Sequence, residues 1–280
     1  FDMASCLDRL TEEATNFIAT KAKGDKPFFL YYPLTAPHKP VFPHPRFKGK
    51  TKLGPYGDFV VQVDSTVGDV LQAIDDAGIR DNTLVIYTSD NGSFMRRYDS
   101  ADAKCHVDDE TEQGYRSDRH TANGKFRGTK ADIYEAGHHV PFFVRWPGRI
   151  KAGSVSEKVI CHVDCLSTLA TITGAEIPKD QAPDSHSFLG QLDGKPASPR
   201  PGVINHSASG MFAIRDGNWK LIAGNGSGGR EKPKGKPFDG PYQLYDLEAD
   251  IAEQNNLIES HSDIAKRLEN ELTTIRNLDH

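Results

Sequence analysis

The side chains in this sequence with the means to do chemistry are a histidine, an aspartate–asparagine pair and a lysine, each in a polar loop beside an apolar run. His38 stands in PLTAPHKP, directly after FFLYY (28–32). Asp90 and Asn91 stand in SDNG, directly after LVIYT (84–88), and Lys130 stands in KFRGTKADIYEAG, ahead of FFVRW (142–146). In open α/β sheets ligands bind outside the carboxyl ends of the parallel strands, so an active site would assemble from loops of this kind. Carboxylate and carboxamide oxygens suit a hard divalent cation, calcium or magnesium, better than zinc. An ammonium group can neutralise an anionic substrate. An imidazole whose backbone is stiffened by neighbouring prolines can transfer a proton or contact an anion. Each signal alone has an ordinary explanation, since Asp, Asn and Gly favour turns and loop lysines and histidines commonly face water.

These residues need elements to position them. Leu7, Leu10, Ala14, Phe17 and Ile18 recur at helical spacing, with Ser5 and Asp8 placed to cap the start, and predict a helix over 5–22. FFLYY reads as a strand buried on both faces of a parallel sheet. Phe59, Val60, Val63, Val67, Val70, Leu71 and Ile74 predict a helix closed by Gly78, and LVIYT and FFVRW predict two further sheet strands. Residues 90–140 form a long polar loop, which in a compact domain usually carries function. A helix is expected at 164–173. From about residue 201 the pattern changes to GVINH, FAIRD, WKLIA and YQLYD between Gly and Asn turns, a small antiparallel sheet. Ile264, Leu268, Leu272 and Ile275 give a last helix its packing stripe. The expected class is therefore α/β, a mixed sheet flanked by helices over 1–200, with a small α+β subdomain over 201–280.

Composition narrows the function classes. With 280 residues, 37% of them hydrophobic and 26% charged, the chain can bury a sizeable core. Its 34 basic and 39 acidic residues leave a net charge of -5 and no long basic run, so no nucleic-acid partner is expected. The short cluster Arg230–Lys236 (REKPKGK) reads as a solvated loop. No apolar stretch approaches the roughly 20 residues that cross a bilayer, so no membrane partner is expected, and FDMASCLDRL has no signal-peptide character. Four cysteines, Cys6, Cys105, Cys161 and Cys165, are too few for a disulfide scaffold at this length and leave room for one surface disulfide. Cys161 and Cys165, with His162 and Asp164 between, have no second ligand pair at zinc-like spacing and read as buried thiols. Trp146 and Trp219 read as packing residues.

Taken in order, PFFLYYPLTAPHKP, VGDVLQAIDDAGIRDNTLVIYTSDNG, FRGTKADIYEAGHHVPFFVRWPG, HVDCLSTLATITG and YQLYDLEADIAEQNNL resemble the blocks of the formylglycine-dependent, arylsulfatase-like sulfatases of the alkaline phosphatase superfamily. The resemblance covers nearly the whole chain. It implies an alkaline-phosphatase-like fold and hydrolysis of a sulfate ester, by sulfuryl transfer to a formylglycine hydrate. It implies that Asp90 and Asn91 ligate one calcium ion, that His38 contacts the ester and assists the leaving group, and that Lys130 binds a sulfate oxygen. His120, in RSDRHTANGKFRG (116–128) with Asn123 and Arg127, is a candidate substrate contact; the alternative is that these residues order the loop. The implied partner is a sulfated small molecule or carbohydrate, and the implied location periplasmic or extracellular.

The sequence also departs from the family. The nucleophile motif, Cys or Ser followed two residues later by Pro and then by Arg, does not occur in these 280 residues, nor does the family's N-terminal Asp pair. The chain is thus expected to be the C-terminal portion of a sulfatase, inactive alone, with the remaining calcium ligands supplied from elsewhere. Where many relatives have Glu-Gly-Gly-x-Arg, this chain has Glu135-Ala136-Gly137-His138-His139, so no role transfers from that Arg and the two histidines read as loop supports. A phosphodiesterase or phosphonate hydrolase of the same superfamily, and a non-catalytic binding module, are the competing readings.

Overall fold

The computed structural model describes residues 2–95, 119–178, 180–195 and 200–277. Cys105 and the start of the 116–128 stretch fall outside the described residues. The chain forms two compact units, one of residues 1–85, 95–122 and 146–148, the other of residues 86–94, 123–145 and 149–280.

The first unit is built on two helices. α1 (Cys6–Lys21) buries Leu7, Thr11, Ala14 and Ile18, one stripe at spacings of four and three. Ser5 occupies the N-cap position but its side chain accepts no helix amide; its hydroxyl donates to the Asp2 carbonyl, which corrects the expected capping role. α2 (Pro55–Asp76) begins one turn before Phe59, where the expected stripe starts, because Pro55 brings a fixed φ to a position that needs no amide proton. In its first turn the buried Asp58 accepts the amides of Gly49 at 2.7 Å and Thr51 at 2.8 Å, which ties down the loop ahead of the helix. α1 and α2 pack together, and Thr11 reaches Thr66 across them at 3.4 Å.

Residues 28–32 are not a strand, contrary to their expected burial on both faces. Phe28, Leu30 and Tyr32 are half-buried, with Phe28 edge-on to Phe17 and the Tyr32 hydroxyl 3.1 Å from Thr11. Phe29 and Tyr31, on the opposite side, are 74% and 77% exposed. The reason is physical: a strand exists by hydrogen bonding to a neighbour, and among the described residues no segment pairs with 28–32. The segment keeps the alternation of an extended chain with one side covered.

In the second unit, β1 (Val85–Thr88) pairs with β2 (Phe142–Arg145). Their residues are half-buried rather than fully buried, apart from the exposed Thr88 and Phe143, the latter 65% exposed. The short helix α3 (Glu135–His138) precedes β2; α4 (Asp164–Thr173), closed by Gly174 in the left-handed region, and α5 (Leu189–Leu192) follow it. β3 (Val203–His206), β4 (Phe212–Asp216), β5 (Trp219–Ile222) and β6 (Gln243–Asp246) form an antiparallel sheet in sequential order, as the short apolar runs predict. α6 (Ser262–Arg276) is the last helix.

Both faces of that sheet are covered, which distinguishes it from an ordinary half-solvated antiparallel sheet. The register places Ile214 opposite Leu221 and Leu221 opposite Leu244; these three pack with Ala265, Leu268 and Leu272 of α6. Trp219 joins this side, its ring 5.1 Å from that of His261. The other face carries Ala213 opposite Ile222 and Lys220 opposite Tyr245. Ala213, Ile222 and Tyr245 pack against Ile133 and Tyr134, from the loop that bears Lys130. Cys161 and Cys165 are half-buried free thiols rather than fully buried ones, and the Cys161 amide bonds to Asp164 at 2.7 Å.

Candidate active site

β1 ends at Thr88, and the chain turns sharply through Ser89-Asp90-Asn91-Gly92. The Ser89 hydroxyl donates to the Asn91 carbonyl at 3.1 Å and the Asn91 amide donates to Asp90 Oδ2, so the turn holds both oxygen-bearing side chains together. Asp90 is exposed and Asn91 half-buried. The turn is stitched to the Lys130 loop at three points. The Gly92 amide donates to the Gly137 carbonyl at 3.2 Å, the Lys130 amide donates to Ser93 O at 3.3 Å, and Asn123 both accepts from Ser93 N (2.8 Å) and donates to Ser93 O (2.7 Å). A Cβ on Gly92 would lie 1.5 Å from the Ala136 carbonyl oxygen, so only glycine lets the two backbones approach this closely. Asp90, Asn91 and Lys130, separated in sequence, are therefore carried by one hydrogen-bonded assembly.

The Lys130 loop is in turn fixed to the sheet. Ala131, the next residue, has a φ of 84°, a left-handed conformation uncommon for a residue with a Cβ and held only where the surroundings dictate it. Here they do. Its carbonyl accepts the Ala208 amide at 3.0 Å, and Ile133 N donates to Ser227 O at 2.8 Å. The fully buried Asp132 accepts from Thr129 N at 2.8 Å, from Glu231 N at 3.1 Å and from the Arg230 amide. Further along, the hydroxyls of Tyr134 and Tyr245 both donate to Gln243 Oε1, at 3.0 and 2.9 Å. Burial pushes both phenols up, Tyr245 to about 12, so they stay protonated donors.

A buried charge cluster closes the assembly. Lys220, on the loop-facing side of β5, is fully buried, with its ammonium 3.0 Å from Glu135 Oε1 and 2.9 Å from Glu253 Oε1. Glu135 also takes Arg215 at 3.0 Å and His139 at 3.1 Å, while the Glu135 amide donates to Glu253 Oε2 at 2.7 Å. Burial alone would raise the Glu135 carboxyl; the charges of Lys220 and Arg215 and the bond from His139 outweigh it and hold the group well below the usual carboxylate range. Burial pushes Glu253 up, with the negative charge of Glu135 adding to it and Lys220 opposing it. His139 stacks on Phe126 with ring centroids 4.2 Å apart. Lys220, Arg215 and the His139 ring thus all meet Glu135 in this chain.

His138 behaves differently from its neighbour. Burial, and then the charge of Lys220, lower its pKa to about 4, so the ring is neutral at ordinary pH. Among the described residues its Nε2 has no hydrogen-bond partner.

Of the residues singled out from sequence, the structure brings Asp90, Asn91 and Lys130 together within the second unit. His38 and His120 belong to the first unit and take no part in the stitches described above. His38 is exposed, with Nδ1 against the Lys39 carbonyl, and His120 is half-buried. Asn123 and Arg127 order the loop: Asn123 clamps Ser93, and Arg127 lies 3.8 Å over Tyr134, bonds Glu231 at 2.7 Å and donates to the Glu253 carbonyl at 2.8 Å. The Glu135–Lys220–Glu253 cluster escapes sequence reasoning, since nothing local to Lys220 marks it as buried. Asp90 and Asn91 have the oxygen chemistry of a calcium site but too few donors for its six to eight ligands. Among the described residues no group of three or more His, Cys, Asp or Glu could hold a metal ion.

The Sulfatase family matches residues 6–175, more than half of the chain. This chain belongs to the sulfatase family. The C-terminal family of N-sulphoglucosamine sulphohydrolase also matches, over residues 128–278, so the two matches overlap over residues 128–175, which include the Lys130 loop. The sulfatase chain is 34% identical over 272 residues to N-acetylgalactosamine-6-O-sulfatase of Bacteroides thetaiotaomicron, covering 96% of this chain and 50% of that protein. It is 30% identical to human arylsulfatase A over 88% of this chain and 47% of that protein. A solved structure from work on glycosaminoglycan metabolism by Bacteroides thetaiotaomicron superposes with a TM-score of 0.84 at 31% identity, covering 98% of this chain and 55% of that one. The chain spans about half the length of these curated relatives. The alkaline-phosphatase-like class expected from the sequence holds.

Proposed function

We propose that this chain supplies one side of the active site of a sulfuric ester hydrolase acting on a sulfated carbohydrate. The observation that carries the reading is the stitched assembly: Asn123 and the Lys130 amide both bind Ser93, so the backbones that bear a carboxylate, a carboxamide and an ammonium are fixed relative to one another without substrate. Such preorganisation is what charge stabilisation in a transition state requires. Asp90 and Asn91 would hold a calcium ion jointly with oxygen ligands from outside these 280 residues; when bound, the ion offsets charge on the sulfate. Lys130 would bind a sulfate oxygen, and His38 would sit by the ester oxygen and pass it a proton as it leaves. His120 is a further substrate contact in this proposal. The nucleophile, a formylglycine, would come from the same outside segment. Residues 1–200 would belong to the catalytic α/β domain and 201–280 to its C-terminal subdomain, in an exported enzyme.

The relatives named for N-acetylgalactosamine 6-sulfate favour a sulfated hexosamine over a simple aryl ester. The full-length protein, assayed on paired aryl sulfate and aryl phosphate esters and on 6-sulfated N-acetylgalactosamine, tests the reading. Sulfate turnover that exceeds phosphate turnover and is lost with EDTA is expected; faster phosphate or phosphonate cleavage would overturn it.

A further inference from the structure

We propose that Arg230 is a substrate-binding residue that selects sulfate esters carrying a second anionic group beside the scissile sulfate. The inference rests on the proposed sulfatase reading and adds to it a named specificity determinant. Arg230 heads the cluster REKPKGK, whose sequence alone suggests a solvated loop. Its guanidinium lies 4.7 Å over the ring of Phe94, the residue that follows Asp90-Asn91-Gly92-Ser93. Its amide bonds to Asp132, two residues from Lys130. Between these anchors the backbones touch, since a Cβ on Gly229 would lie 2.4 Å from the Ala131 carbonyl oxygen. Arg230 is thus rooted on both segments that carry the candidate chemistry.

Its charge is also available. Arg230 is exposed, and among the described residues no carboxylate pairs with it. The acidic member of the cluster, Glu231, turns inward to Arg127 at 2.7 Å, and among the described residues no carboxylate pairs with the exposed Arg230, Lys232, Lys234 or Lys236. The contrast with Arg127 is instructive: that guanidinium is consumed by Glu231, Tyr245 and the Glu253 carbonyl. A guanidinium stacked on an aromatic face keeps its N–H edge free, and that edge matches a carboxylate or sulfate in two parallel bonds.

The loop is built rather than loose. Gly228 N donates to Lys234 O at 2.7 Å, Ser227 N to Pro233 O at 3.0 Å and Lys236 N to Asn225 Oδ1 at 2.8 Å. Little ordering entropy therefore opposes anion binding. The second anion is a uronate carboxylate or a second sulfate; each, planar or tetrahedral, offers two acceptor oxygens to the edge of an arginine.

The test uses the full-length protein as wild type, R230Q and R230K. The substrates are 6-sulfated N-acetylgalactosamine, the same sugar linked to a uronic acid, the carboxyl-reduced form of that disaccharide, and a disulfated monosaccharide. In R230Q, the preference in kcat/KM for a doubly anionic substrate over the singly anionic sugar is expected to fall on the order of 10- to 100-fold, chiefly through KM, as for loss of a charge-assisted bidentate contact. R230K should recover part of the preference. Carboxyl reduction should cost the wild type as much as R230Q costs the intact disaccharide, and the disulfated arm shows whether a sulfate serves in place of the carboxylate. An equal fall on every substrate would mean that Arg230 only braces Phe94, and an unchanged preference would mean that it meets no anion; either overturns the proposal. Calorimetric Kd values for the uncleaved disaccharide separate the two readings. Arg230-dependent binding without turnover would sink the sulfatase reading alone, and turnover with Arg230-independent binding would sink this inference alone.

Discussion

Lys130 shows how much support one charged side chain requires. Its amide is held by Ser93, the next residue is in a left-handed conformation, and the one after is a fully buried aspartate accepting backbone amides from two segments. If the ammonium stabilises charge that grows on the sulfate, Lys130→Ala in the full-length protein should lower kcat on the order of 10² or more while the melting temperature moves little. Asp90→Ala should abolish the calcium-induced rise in melting temperature and most turnover, and leave the far-UV circular dichroism unchanged, because the carboxylate is exposed and, among the described residues, bonded within its own turn. The grouping of Asp90, Asn91 and Lys130 was legible in the sequence because loops beside strands are where ligands bind in such sheets, whereas their roles are the proposal made above. Lys220 and Glu253 were not legible. A lysine between a tryptophan and a leucine in a short strand has the alternation of a solvent-facing residue, and only the loop laid over that face makes it interior.

Among the elements, the sheet of β3 to β6 works as a plate with the Lys130 loop on one side and α6 on the other. The buried cluster on the loop side is held by mutual compensation, and removal of one partner leaves charges stranded. Lys220→Met should therefore destabilise the protein by about 3–5 kcal/mol in urea unfolding, and a second change, Glu253→Gln, should return part of that loss. Gly92→Ala tests the stitch itself. With a Cβ 1.5 Å from the Ala136 oxygen, the turn must leave the Lys130 loop, and calcium affinity and turnover should fall together although neither Asp90 nor Lys130 is altered. Helices and the C-terminal strands were readable to within a few residues because apolar periodicity reports a buried stripe directly. FFLYY was misread because composition records that a segment can be a strand, whereas pairing decides whether it is one.

For the molecule as a whole, acid sensitivity follows from His138. Its ordinary value of 6.5 falls to about 4 in the fold, through burial first and Lys220 second, with Glu135 opposing and His206 adding a smaller effect. Between those values the unfolded chain binds a proton that the native chain refuses, so stability drops as pH falls from 6.5 towards 4. Glu135 shifts downward and acts in the same sense at lower pH, since its stabilisation is present above the usual carboxylate range and is lost only when pH falls through its depressed value. Unfolding midpoints at pH 7 and 4.5 should differ in the wild type, and the difference should shrink in His138→Gln. The bare side of residues 28–32 bears on how such a chain behaves in solution. Phe29 and Tyr31 point outward from an extended backbone whose amides and carbonyls have no ladder partner among the described residues. That is the profile of an adhesive edge, on which a second strand from any source gains hydrogen bonds and aromatic contact at once. Handled by themselves, these 280 residues are thus expected to clump as concentration rises, which light scattering on the folded chain would show.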